Sequence, residues 1–178
     1  MKTRYSLVLP ILLTLACTAC FSTPEPPAEL TFTGISPKGY SYELTFDSDT
    51  DFFAPYWVRG RRPVVTRFLK CSLDDDADFS VDHVLLRFMR GSIEEAEQKA
   101  PSNTSLFKFK VLLNFQETDS GGSGSKNLHA ATVSRLLAGR STIPCKVVMT
   151  IYLAKPYYSK TMRVPVKALL DAVAQPSK

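Results

Sequence analysis

Apolar and polar residues alternate along most of this chain. Phe107, Phe109, Val111, Leu113 and Phe115 fall on one side of an extended segment, and Lys108, Lys110, Leu112, Asn114 and Gln116 fall on the other. That period of two predicts a half-buried strand. Burying its large side chains is worth about 1.5–3 kcal/mol each, which places this strand at the centre of the core. The same period recurs where Tyr40, Tyr42, Leu44 and Phe46 oppose Ser41, Glu43 and Thr45. Further strands are expected over 30–33, 52–58, 64–69, 79–90, 145–153 and 161–165. Turn signals separate them at 37–39, 60, 74–76 and 121–124.

Three short segments break the alternation. Within 92–100, Ser92 stands three residues before Glu95, a capping-box spacing, and Pro101 would stop a helix there. Residues 127–138 place Leu128, Ala131, Val133 and Leu136 at roughly helical intervals, with Gly139 as the stop. Residues 166–174 form the third candidate. Many closely spaced strands with two or three short helices predict a mainly β chain, an antiparallel sandwich rather than an α/β sheet. No internal repeat interrupts it.

The first residues follow a different pattern. Lys2 and Arg4 precede one apolar run, Leu7 to Ala16, and small residues and cysteines follow at once. A run of about ten residues is too short for a hydrocarbon core that takes about 20 helical residues to cross, and Pro10 interrupts it. This start resembles a bacterial lipoprotein signal peptide. The resemblance implies export, cleavage and attachment of lipid to a cysteine. Before Cys20 stand Cys17, Thr18 and Ala19, so the two nearer positions are small as a lipobox requires, while the third departs from the usual Leu. Before Cys17 stand Thr14, Leu15 and Ala16, with Leu15 where a small residue belongs. Cys20 is the better lipidation site and Cys17 the alternative. Neither is followed by Asp, so the expected address is the periplasmic face of the outer membrane. The resulting organisation is a signal peptide over 1–19, a lipidated N-terminus and proline-rich tether over 20–29, and a single β-sandwich domain over 30–178.

With Cys17 removed and Cys20 acylated, Cys71 and Cys145 remain as an even pair in an oxidising compartment. A disulfide between them is expected. Two buried, unpaired cysteines acting as small apolar residues are the alternative.

Charge narrows the partners. The 22 Lys and Arg against 17 Asp and Glu give +5; Lys2 and Arg4 leave with the signal and no acid does, so the mature chain carries +3. So modest a balance requires no polyanion, and export also argues against nucleic acid. Chemistry is mostly missing from the motifs. His83 lies within the apolar run FSVDHVLLRFM and His129 opens a helical segment, with no cysteine near either to suggest a metal site. The nucleophile elbow G-x-S-x-G does not occur. Gly121 to Lys126 (GGSGSK) falls short of a phosphate loop, because Ser125 separates Gly124 from Lys126 and Asn127 follows. No catalytic residue, metal or cofactor is expected. The acidic run Asp74 to Asp78 lacks the spaced ligands and glycine of a calcium loop. Tyr56, Trp57, Arg59, Arg61 and Arg62 combine aromatics and arginines, the residue types enriched at interface hot spots, and form the candidate partner-binding edge.

Beyond its start, the chain resembles small proteobacterial lipoproteins built on an immunoglobulin-like sandwich. The features that carry this are the strand GYSYELTF and the run from His129 through a helix and Gly139 into CKVVMTIYL. The resemblance implies an immunoglobulin-like β-sandwich and brings no functional residues with it. Some periplasmic lipoproteins of this type bind and block toxins delivered by neighbouring bacteria. The expected function is therefore that of a non-catalytic protein-binding module held to the membrane by its N-terminal lipid, with a toxin or an envelope component as partner. A structural role in an envelope or secretion assembly is the alternative, and an envelope hydrolase comes third.

Overall fold

Where alternation was strongest, the chain does pair into strands. In the computed structural model, which describes residues 25–56, 64–94, 106–119 and 121–175, nine strands and two α-helices are present. In chain order they are β1 (Leu30–Lys38), β2 (Ser41–Ser48), β3 (Val64–Ser72), β4 (Arg87–Ser92), β5 (Phe107–Thr118), β6 (Ser125–Asn127), α1 (Ala130–Leu137), β7 (Thr142–Ile151), β8 (Tyr157–Tyr158), β9 (Met162–Pro165) and α2 (Val166–Ala174). Every pairing is antiparallel, along the path β1-β2-β5-β4-β3-β7-β8, with β6 added to β5 and β9 to β7. The sheet does not close on itself. The chain enters it beside β8, where the Ala28 amide donates to Tyr157 Oη at 2.9 Å and the Lys160 amide donates to the Ala28 carbonyl at 3.0 Å.

The inward residues of β5 form the centre of the core. Phe109, Val111, Leu113 and Phe115 are buried, whereas Lys108, Lys110 and Leu112 face water. Register matches large side chains across strands: Phe46 lies opposite Phe109 with their rings stacked at 5.3 Å, and Leu44 lies opposite Val111. Phe52 stacks on the same Phe109 ring at 4.5 Å. Leu69 and Cys71 of β3, Val147 and Met149 of β7, Val164 of β9, Val133 and Leu137 of α1 and Leu169 of α2 join this one cluster. β4 passes close over β5 at Gly91, where a Cβ would stand 1.9 Å from the Leu112 carbonyl oxygen. Gly139, at φ +79°, ends α1 in the left-handed region as its position in the sequence predicted.

Four expectations change. Of the strand expected over 52–58, residues 52–56 are instead a turn and a 3-10 helix (Ala54–Tyr56), because Asp51 Oδ1 accepts the Phe53 amide at 3.0 Å and its carbonyl accepts the Ala54 amide at 3.2 Å; 57–58 lie outside the described residues. Phe52 and Phe53 are both buried, which alternation would forbid. Of 79–90, only Arg87–Arg90 is strand; Asp76 and Asp78 capture the amides of Asp78 and Ser80, and the segment folds back as a loop. Its Phe79 and Leu85 cover Val148 on the outer side of the sheet, beside Phe88 and Tyr158. Ser92, expected to cap a helix, is the last residue of β4, and 95–100 lie outside the described residues. The helix expected over 127–138 shortens to Ala130–Leu137, since Asn127 belongs to β6. The helix over 166–174 stands as expected.

Candidate functional site

The two expected disulfide partners meet. Cys71 and Cys145 sit directly opposite each other on β3 and β7, with Cα atoms 4.0 Å apart, and are bonded. Both are wholly buried. Of the expected binding edge, only Tyr56 is described; Trp57, Arg59, Arg61 and Arg62, like Cys17 and Cys20, lie outside the described residues. Tyr56 is half-buried, edge-on to Tyr157 at 6.4 Å. Burial, with Glu25 and Tyr157 nearby, pushes its hydroxyl up to about 12. It packs as part of the core margin.

Neither histidine lies in a strand. His83 Nε2 is 2.5 Å from Asp76 Oδ2 and its Nδ1 is 3.8 Å from Asp78 Oδ2, so the acidic run serves to tie its own loop. The Asp76 hydrogen bond raises the imidazole above its ordinary value. Among the described residues no group of three His, Cys, Asp or Glu side chains could hold a metal ion. His129 is the N-cap residue of α1, with no capping hydrogen bond from its side chain, and borders a cleft of about 460 Å³ with Lys126, Arg135, Arg87 and Glu117. Glu117 is held below the ordinary carboxylate range there by Lys126 at 3.0 Å and Arg87 at 2.9 Å, which leaves the cleft's central charges matched.

The outer sheet face is not matched in this way. Register sets Lys70 of β3 opposite both Arg90 of β4 and Lys146 of β7, giving three cations abreast. At a strand spacing of about 4.8 Å they span about 10 Å. None of the three has a carboxylate partner among the described residues. Arg90 lies over the Phe68 ring at 4.7 Å, and Asn114 continues the row. Lys70 is half-buried; burial first and Arg90 second lower its ammonium from the ordinary lysine value. Like charges directly opposite on a sheet are unfavourable, so the Lys70–Arg90 and Lys70–Lys146 pairings oppose folding, and the contact of Arg90 with Phe68 offsets only part of that.

Lys70 and Arg90 also line a hollow of about 280 Å³. Val84, Leu85 and Phe88 supply apolar wall, and the Gly122–Ser125 turn closes one side. The loop that bears Val84 and Leu85 is firmly placed: Thr118 Oγ1 donates to the Leu85 carbonyl at 2.6 Å, and the Arg140 guanidinium donates to the Asp74 carbonyl at 2.8 Å. A preformed hollow with cations on its floor and apolar walls can receive carboxylates carried on a protein surface. Sequence reading missed it, since Lys70, Arg90 and Lys146 are scattered and each stands alone in its own segment; only strand register assembles them.

No known protein-family model matches this chain, and no curated protein or solved structure is similar to it.

Proposed function

We propose that the protein is a membrane-anchored, non-catalytic binding module of the periplasm, and that its outer sheet face takes an acidic surface of a protein partner. The unmatched row Arg90–Lys70–Lys146 carries this reading. A fold retains three opposed cations at a cost when something else supplies the countercharge. The anchor rests on the N-terminal pattern ending at Cys20, with the periplasmic face of the outer membrane as its address. The immunoglobulin-like sandwich belongs to the same proposal, supported by wholly antiparallel pairing around one core. Blocking of a delivered toxin is the role such a module fits best.

The test is affinity purification of the tagged protein from intact envelopes, beside a K70E/R90E/K146E variant checked for fold by circular dichroism. One stoichiometric acidic partner is expected. It should be released as salt rises and the screening length falls from about 10 Å at 0.1 M to about 3 Å at 1 M. The variant should not capture it. Capture that survives charge reversal, or no partner across growth and competition conditions, refutes the reading. A toxin as partner assigns immunity; a secretion or envelope component assigns the structural role.

A further inference from the structure

We infer that the turn between β7 and β8 is a bilayer contact, in which Leu153 and Tyr152 enter the headgroup region of the membrane that carries the anchor. The inference rests on the anchored reading above. Leu153 is the one non-glycine residue with positive φ among the described residues, at +56°, and it is 90% exposed. Either feature is unfavourable for leucine in water: the left-handed region crowds its Cβ, and the side chain buries nothing. Tyr152 beside it is 68% exposed. The Ala154 amide donates to the Ile151 carbonyl at 3.3 Å, which closes the turn and holds the pair outward. Exposed Lys155 follows on its flank, while Lys160 farther on is ion-paired with Glu29 of the tether. An aliphatic tip, a tyrosine and a lysine suit the boundary between acyl chains and anionic headgroups.

The anchor brings this tip to the membrane. The tether joins the fold at Ala28, which bonds Tyr157 Oη and the Lys160 amide, and Tyr157 is four residues beyond Leu153. Eight residue steps separate Cys20 from Ala28, and extended chain spans at most about 3.6 Å per residue, so the point of attachment stays within roughly 29 Å of the lipid. Four steps from Tyr157 put Leu153 within about 14 Å along the chain. The opposite turn is different. Tyr40 is equally bare, but it follows the far end of β1, nine residues of strand from the tether. At about 3.3 Å per step, the eight steps from Leu30 to Lys38 put that end roughly 26 Å from the tether.

The experiment places a nitroxide at Leu153→Cys or, separately, at Tyr40→Cys in the full chain purified from membranes. Each is reconstituted into vesicles of phosphatidylethanolamine and phosphatidylglycerol. With Cys71 and Cys145 bonded and Cys20 acylated, the introduced thiol is the one labelled. The ratio of oxygen to water-soluble nickel-complex collisions should be several-fold higher at 153 than at 40. An acylated protein whose two labels report equal water access overturns the membrane contact and leaves the anchor standing. An intact mass without acyl chains overturns both.

Discussion

Replacing Lys70 by methionine should make the protein more stable and worse at binding. Methionine keeps an unbranched stem of similar length and removes the charge. Lys70 faces two cations across the sheet, Arg90 and Lys146. Each like-charged pair directly opposite costs about 0.2–1 kcal/mol, so relief of both should stabilise by about 0.4–2 kcal/mol. The lowered Lys70 pKa has the same sign: the unfolded chain holds that proton more tightly, so the charged form opposes folding at neutral pH, and the penalty fades as pH climbs toward the ordinary value of 10.5. Urea unfolding at pH 7 reads it directly. With a slope of about 2 kcal/mol/M, the midpoint should rise by about 0.2–1 M at unchanged slope. R90M should gain less in the K70M background than alone, because the repulsion it relieves is already gone. A midpoint that falls in K70M would show that Lys70 stabilises the fold, and would remove the reason for assigning the row to a partner. The same variant should lose partner capture; gained stability with intact capture separates the row from the binding face.

Two further outcomes follow from the loops and the bridge. Cross-linking across 74 positions should contribute roughly 4.5 kcal/mol in the chain-entropy model, so reduction of unfolded protein followed by refolding under reductant should lower the melting temperature by about 10–15 °C. Because both sulfurs are buried, native protein should resist reductant until it unfolds; equal melting with and without reduction would count against a stabilising bridge. His83 should titrate above 6.5 by NMR and return toward 6.5 in D76N, since Asp76 is the first cause of its shift. A raised histidine contributes fully below 6.5 and its contribution is lost as pH rises through the folded value, whereas Asp76 and Asp78, both lowered, contribute above 3.8 and lose it as pH falls. An unmoved His83 midpoint in D76N would refute the assignment of its shift to Asp76.

The parts of the fold that sequence reveals are those where one local pattern has one physical solution. Twelve residues of β5 alternate without exception in their buried stretch, and no other conformation buries Phe109 to Phe115 while wetting Lys108 and Lys110. The run from Phe79 to Met89 is just as apolar, yet it has two faces to choose from, and Asp76 and Asp78 settle the choice locally by taking backbone amides that a strand would use. The site follows the same division. Cys71 and Cys145 could be paired by counting, because the two cysteines left beyond the N-terminal pattern admit a single bridge. The cation row could not, because a shift of one residue in β3 would turn Lys70 inward and disperse it. That dependence makes the row a strict property of the folded protein: denatured chain keeps the same net charge but not the 10 Å spacing across three strands. Binding of the acidic partner should therefore vanish with the sheet at the unfolding midpoint, and a partner that still binds the unfolded chain would be responding to composition alone.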